Sequence, residues 1–285
     1  MSRIAYVNGQ YRDMRDASVN IEDRGYQFAD GVYEVCEVRG GKIVDLPRHL
    51  TRLQRSLREL QIAMPMPLNA LEIVIHEVVR RNRVTYGIVY LQMTRGVARR
   101  DHAFPVKPVK PAVVITARSL SFQKNQDTAA RGIGVITIPE NRWPRVDIKS
   151  VSLLPNVLAK QQARENDSYE AWFVASDGFI TEGASSNAWI VTKDGKVITR
   201  SADSGILAGV TRAVLLEVLS ALQMTFEERP FTPDEAYQAA EAFVTASSQI
   251  VMPVVRIDGR NLGNGKPGAV STRLREEFHR FSAFS

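Results

Sequence analysis

The chain has 285 residues, enough for one large domain or two modest ones. Hydrophobic residues make up 44% and charged residues 24%, the balance of a globular protein rather than a disordered one, and no apolar run approaches the length of a membrane span, so no membrane partner is expected. The net charge of +6, from 37 basic and 31 acidic residues, is spread along the chain without a Cys/His finger or an aromatic RNA-binding signature, which argues against a nucleic-acid partner. Cys36, the single cysteine, can form no internal disulfide, and Met1-Ser2-Arg3-Ile4-Ala5 lacks an apolar signal core; both favour a cytoplasmic location.

Ile4–Asn8 and Gln10–Arg12 flank Asn8-Gly9, a pair favoured in two-residue hairpin turns, and Val32–Arg39 and Lys42–Asp45 flank Gly40-Gly41 in the same way. Leu50, Leu53, Leu57 and Leu60 recur at helical spacing. Asn69 followed by Glu72 predicts a helix start, with Leu71, Ile75, Val78 and Val79 as its apolar side. Ile88–Thr94 and Ala112–Ala117 read as strands joined by a long loop, Arg95–Pro111, rich in Arg, Lys and Pro; loops of that length are often functional, a disordered surface loop being the alternative. Ser119–Thr128 is polar and aperiodic and reads as a linker. After it come a strand over Gly134–Ile138, a helix near Asn156–Glu165, and strands over Glu170–Ala175, Asn187–Thr192 and Lys196–Thr199. A helix over Thr211–Leu222 and strands over Ala242–Thr245 and Ile250–Ile257 follow, with Asp258-Gly259 as a turn. The pattern implies an α/β (α+β) fold in two domains, a smaller one over 1–120 and a larger one over 121–285.

Three stretches could carry chemistry. Arg142-Trp143-Pro144-Arg145-Val146-Asp147-Ile148-Lys149-Ser150 places a lysine after two arginines. Folded inward, such cations disfavour a charged ammonium, and the neutral amine is the nucleophile; a solvated basic loop is the ordinary alternative. In Thr181-Glu182-Gly183-Ala184-Ser185-Ser186-Asn187 a glutamate precedes small residues that would let a flat ring approach the backbone; a turn glutamate is the alternative. Leu207-Ala208-Gly209-Val210-Thr211-Arg212 leads into the predicted helix, whose free N–H groups and dipole suit an anion, although an ordinary helix cap looks the same. Arg95, Arg99 and Arg100 form the densest basic cluster, and arginines suit small carboxylates and phosphates.

Together with Glu22-Asp23-Arg24-Gly25-Tyr26-Gln27-Phe28-Ala29-Asp30-Gly31-Val32-Tyr33-Glu34, these motifs run in order from about Tyr6 to Arg275. In content and spacing the chain resembles the fold-type IV (class IV) pyridoxal-phosphate-dependent aminotransferases, and within them the D-amino-acid branch. The resemblance implies pyridoxal 5'-phosphate in an interdomain cleft of a homodimer, with no metal. It implies Lys149 as the Schiff-base lysine that also moves the substrate proton, and Glu182 as the acid against the ring nitrogen. It further implies cofactor contacts from Arg52, Ser185, Leu207, Gly209, Val210, Thr211 and Ser247. The family carries a hydroxyl residue where Ala246 stands and threonine where Ser247 stands. Arg142 matches a residue near the lysine, with no settled role. Tyr33, Arg100 and His102 match the residues that hold the substrate carboxylate, the Arg100 loop reaching over from the other subunit.

The implied reaction is a ping-pong transamination. A D-amino acid of the D-alanine or D-glutamate type gives up its amino group, and a 2-oxo acid such as 2-oxoglutarate or pyruvate takes it up. Members of the family present the same cofactor face to the lysine, so the placement of the substrate carboxylate decides between D and L substrates. A branched-chain L-amino-acid aminotransferase and an aminodeoxychorismate lyase share the lysine and the glutamate and remain alternatives. A non-enzymatic anion- or nucleic-acid-binding protein is the alternative from another class.

Overall fold

The computed structural model describes residues 3–202 and 205–285. The chain divides into two compact units. The first comprises Met1–Phe122, Ile148–Ser152 and Ala283–Ser285; the second comprises Gln123–Asp147 and Leu153–Ser282. The division differs from a single break near residue 120 in two places, because the Lys149 segment and the C-terminal tripeptide both belong to the first unit.

The first unit holds β1 (Ile4–Val7), β2 (Gln10–Asp13), α1 (Arg24–Phe28), β3 (Gly31–Arg39), β4 (Lys42–Ile43), α2 (Leu46–Glu59), α3 (Leu68–Arg81), β5 (Tyr86–Thr94) and β6 (Ala112–Ser119). Its sheet runs β2-β1-β6-β5-β3-β4. β3 and β5 pair antiparallel over nine residues, from Gly31 opposite Thr94 to Arg39 opposite Tyr86. Strict alternation along these strands sorts the two faces of the sheet. Val32, Cys36, Val38, Val89, Leu91 and Met93 are buried and share one core with Leu50, Leu53 and Leu57 of α2 and Leu71, Ile75 and Val78 of α3. Tyr33 and Val35 of β3 and Tyr90 and Gln92 of β5 alternate with them and stay half-buried. Residues 283–285 lengthen the β4 edge: Ile43 and Ser285 exchange backbone hydrogen bonds of 2.8 and 3.0 Å.

The second unit holds α4 (Phe122–Arg131), β7 (Ile133–Pro139), α5 (Leu154–Glu165), β8 (Glu170–Val174), β9 (Ile180–Gly183), β10 (Asn187–Val191), β11 (Val197–Thr199), α6 (Val210–Ala221), β12 (Phe226–Glu228), α7 (Pro233–Gln238), β13 (Glu241–Ala246), β14 (Ile250–Ile257), β15 (Arg260–Asn261) and α8 (Ala269–Glu277). Its sheet runs β12-β11-β10-β13-β14-β7-β8-β9, with β15 on β14. β8, β9 and β10 are almost wholly buried, so a charged side chain there has to be paired.

The break between the two units, after Phe122, falls inside the expected linker Ser119–Thr128, but the stretch is not an irregular loop. Ser119 ends β6, and Phe122 opens α4. Only Ala129 of that helix is buried, so its sequence carries no apolar stripe to betray it. The Asn69 cap is also displaced by two residues: Pro67 is the N-cap of α3, and Asn69 lies inside the helix. Close strand approach makes one position exacting. A methyl group on Gly87 of β5 would collide with the Arg118 carbonyl oxygen on β6. Gly87→Ala should cost about 1–3 kcal/mol, the usual penalty for overpacking, read as a lower urea midpoint with an unchanged slope.

Candidate active site

Lys149 sits on the free edge of β3. Tyr33 donates its backbone N–H to the Lys149 carbonyl at 3.0 Å, and Val151 donates to Gly31 at 3.0 Å. Val32 and Ser150 form the bridge between these bonds. Ile148 is buried in the core of the first unit, and the Lys149 N–H reaches Ser56 Oγ of α2 at 3.3 Å. The lysine is therefore fixed by its backbone on both sides. Its Nζ lies 4.2 Å from the centroid of the Tyr33 ring. Tyr33 in turn packs at 5.8 Å against Tyr90, whose hydroxyl donates to Gln92. Burial, with Tyr33 beside it, pushes the Tyr90 hydroxyl up to about 12, so it stays a neutral donor. Both arginines of the Lys149 segment are themselves paired with carboxylates. Arg142 is paired with Glu140 and Glu182, and Arg145 with Asp147.

On the opposite face of β3, Glu34 is buried and paired with α2. Arg52 makes a two-pronged contact, Nε to Oε1 at 2.8 Å and Nη2 to Oε2 at 2.7 Å. His49, one turn earlier, brings Nδ1 within 2.7 Å of Oε2. Burial would raise the Glu34 carboxyl, but the Arg52 charge and the hydrogen bonds from Arg52 and His49 outweigh it and hold it at about 2. Burial also lowers His49, against the pull of Glu34. A neutral ring there must carry its proton on Nδ1 to donate to the carboxylate. Cys36 lies on the same buried face, and burial pushes its thiol well up, so it behaves as a small apolar residue.

Arg100 and His102 lie on an exposed turn in the loop after β5. Among the described residues, no hydrogen bond, ion pair or ring contact joins either side chain to Tyr33 or Lys149. Both instead pack against Phe28 of α1, with the Arg100 guanidinium 5.0 Å and the His102 ring, tilted by 51°, 5.4 Å from its ring centre.

In the second unit, Glu182 occupies the third position of β9 and is 4% exposed. Its carboxylate accepts from Arg142 Nη1 at 2.6 Å, from Asn187 Nδ2 at 3.0 Å and from the Leu207 N–H at 3.2 Å to each oxygen. Arg142 is further tied to Glu140 and Thr181. Burial would lower the Arg142 guanidinium, but the two carboxylates raise it, so it stays charged. The β9–β10 turn is tight: Gly183 donates to the Ser186 carbonyl at 2.7 Å. Ser185 and Ser186 both donate to the buried Glu170, at 2.7 and 3.0 Å.

Asn187 links this carboxylate to the start of α6. Its amide also donates to the Leu207 carbonyl at 3.1 Å, and its Oδ1 fills the space a side chain on Gly209 would need. Gly209 is the N-cap of α6 and no side chain caps the helix. The first-turn N–H groups of Val210 and Thr211, both buried residues, are thus not engaged by a capping side chain. Ser247 stands half-buried directly after β13.

Residues 31–257 match the family described as Amino-transferase class IV. The chain belongs to this family. It is 38% identical to D-alanine aminotransferase of Staphylococcus haemolyticus over 276 residues, covering 97% of this chain and 96% of that one. It is also 38% identical to D-alanine aminotransferase of Bacillus licheniformis over 268 residues, covering 94% and 93%. Among solved structures, the branched-chain amino acid aminotransferase of Escherichia coli superposes with a TM-score of 0.90 at 21% identity, covering 98% of this chain and 94% of that one. A hypothetical aminotransferase of Mycobacterium tuberculosis, in its PLP-bound form, gives 0.86 at 19% identity, covering 97% of each chain. At these identities the structural matches speak for the fold.

Several polar residues of the site escape sequence reading. Glu34 and His49 had a signal: charged or polar side chains on the core-facing positions of β3 and α2, between Val32 and Cys36 and beside Leu50 and Leu53. Glu140, Glu170 and Asn187 had none beyond residue type. Glu34 has a measurable consequence. Its folded value lies below the usual 4.5, so its contribution is complete above that value and is lost as pH falls through about 2. The size is about 3 kcal/mol at neutral pH, from about 1.36 kcal/mol per unit. His49, lowered from 6.5, acts in the same direction below its own unfolded value. Glu34→Gln should be less stable at pH 7 and should show a shallower loss of unfolding free energy between about pH 5 and pH 2 than the parent.

Proposed function

We propose that the chain transfers the amino group between D-amino acids of the D-alanine or D-glutamate type and 2-oxo acids, with pyridoxal 5'-phosphate as cofactor. The observation that carries this reading is near full-length identity of 36–38% to D-alanine aminotransferases, well above the 19–24% shared with the structurally similar aminotransferases. Three features of the chain support the fit to the cofactor. Among the described residues, the Lys149 ammonium has no carboxylate partner. Glu182 is a buried carboxylate fixed on both oxygens. α6 begins without a side-chain cap, leaving an anion-binding terminus.

When bound, pyridoxal phosphate supplies an electron sink for the charge that develops at the substrate α-carbon. The residues of the chain do the rest. Lys149 is the covalent attachment point for the cofactor and takes the proton from the α-carbon, a contribution of about 10²- to 10⁴-fold to rate. Glu182, kept in place by Arg142, Asn187 and Leu207, holds a proton on the ring nitrogen. The Val210 and Thr211 N–H groups, the Thr211 and Ser247 hydroxyls and the Arg52 guanidinium take the phosphate, and Gly209 leaves the space that Asn187 occupies. Leu207 and Ser185 line the ring. Tyr33, Arg100 and His102 hold the substrate carboxylate, Arg100 by paired hydrogen bonds.

The chain acts as a homodimer in which the Arg100 turn serves the site of the partner subunit. Large apolar side chains left exposed beside that turn support this: Ile21, Tyr26, Phe104 and Val106 lie on two segments joined by the Asp23–Val97 bridge.

Two measurements test these roles. Borohydride reduction of the cofactor-loaded protein followed by peptide mapping should place the label on Lys149; a label on another lysine, or none, removes the cofactor assignment. Arg100→Ala should raise the KM for D-alanine about tenfold or more, since a hydrogen bond to a charged group is worth roughly 1.5–3 kcal/mol. Its visible cofactor absorbance should match that of the parent. A KM equal to that of the parent would show that Arg100 does not hold the carboxylate.

A further inference from the structure

Arg24 is a buried arginine that no part of the chemistry above requires. Its side chain is 4% exposed. Nε donates to Asp30 Oδ2 at 2.8 Å, Nη1 to the Asp101 carbonyl at 2.6 Å and Nη2 to the His102 carbonyl at 3.4 Å. One planar guanidinium thus holds two successive carbonyl groups, 77 and 78 residues away, at the centre of the Arg100-Asp101-His102 turn. Asp30 is itself held by a second buried arginine. Arg95 reaches it through Nε at 2.7 Å and Nη2 at 3.0 Å and also donates to the Leu60 and Gln61 carbonyls at the end of α2. Asp30 therefore compensates two guanidinium charges, and Arg24 is fixed before it reaches the turn.

The turn has little else to hold it. Its base is zipped to α1 by Arg24 N–H to the Gly96 carbonyl at 2.9 Å and by Ala98 N–H to the Glu22 carbonyl at 3.3 Å. Residues 99–104 beyond that base are exposed. Phe28, one helical turn from Arg24, underlies the guanidinium of Arg24 at 4.9 Å as well as Arg100 and His102. A guanidinium offers five donors in one plane, whereas a lysine offers a single ammonium. Capturing both carbonyls sets the peptide planes 101–102 and 102–103, which flank His102 and begin one residue after Arg100, and with them the directions in which the two side chains project. Ion pairs buried to this degree add little net stability compared with apolar packing, so geometry is the better reason for their presence.

We propose that Arg24 is a positioning residue for substrate-carboxylate binding, orienting Arg100 and His102 through the carbonyls of the turn they flank; this rests on the carboxylate-holding role given to those two residues above. Arg24 touches neither substrate nor cofactor. Its loss should weaken carboxylate binding without removing the chemical step.

The test compares Arg24→Met, Arg24→Lys and Arg100→Ala, each loaded with pyridoxal phosphate. Steady-state kinetics with D-alanine and 2-oxoglutarate are measured, together with the dissociation constant of propanoate, a carboxylate that cannot react. We expect Arg24→Met to raise the KM for D-alanine and the propanoate Kd about tenfold with kcat lowered less than threefold, and Arg24→Lys to fall between it and the parent. If Arg24→Met does not fold, Arg24→Lys decides by the same split. A lowered kcat with KM and propanoate Kd unchanged overturns the proposal, as does a lowered melting temperature with both binding constants unchanged. If Arg100→Ala weakens propanoate binding and the Arg24 variants do not, only the positioning role fails. If Arg100→Ala has no effect, the carboxylate-holding role fails and takes the positioning role with it.

Discussion

The pairing of residues 149–151 with the edge of β3 is the constraint on which the placement of Lys149 depends. A lysine side chain is long and flexible, and ordering it is costly in entropy. Here the backbone is fixed first, by the Tyr33 and Val151 hydrogen bonds, by the buried Ile148 and by the bond to Ser56. The side chain then needs only to extend over the Tyr33 ring. The same strand that receives the lysine carries Tyr33 on one face and Glu34 on the other, so a register slip of one residue would exchange the two.

Buried or nearly buried carboxylates organise the rest. Glu34, Asp30, Glu182 and Glu170 sit at the centre of four separate clusters, three of them with arginines. Each would be costly alone, since an unpaired buried charge destabilises by several kcal/mol. Paired, each one fixes the direction of the groups around it. Glu182 is the clearest instance: Arg142, Asn187 and Leu207 come from three different stretches and meet on one carboxylate. Through Asn187 that cluster also sets the approach of Gly209 to α6, so the carboxylate and the helix terminus are built as one piece.

Much of this was legible from residue pattern. Gly40-Gly41 and Asn8-Gly9 mark the hairpins, and the leucines of α2 mark its buried side. The lysine, glutamate and glycine motifs are visible because the motif residues are contiguous. What stayed hidden is of two kinds. α1, α7 and α8 are short, and α4 buries a single alanine, so apolar periodicity has nothing to register. The polar partnerships join residues far apart in the chain: Arg24 with Asp101, Arg142 with Glu182, Glu34 with Arg52. Local spacing carries no information about such pairs: the Glu182 partner of Arg142 lies 40 residues along the sequence.

Handedness of the substrate is the central claim, because the roles proposed for Lys149 and Glu182 do not depend on it and those proposed for Tyr33, Arg100 and His102 do. The direct measurement is a chiral assay of the purified, cofactor-loaded protein, comparing initial rates for the two enantiomers of alanine, glutamate, leucine and valine with 2-oxo acid acceptors. D-alanine and D-glutamate should be used with kcat/KM at least about a hundredfold above their L forms, a preference of about 2.7 kcal/mol in transition-state binding. A preference for L-leucine or L-valine would contradict the assignment of Tyr33, Arg100 and His102 to the carboxylate of a D substrate.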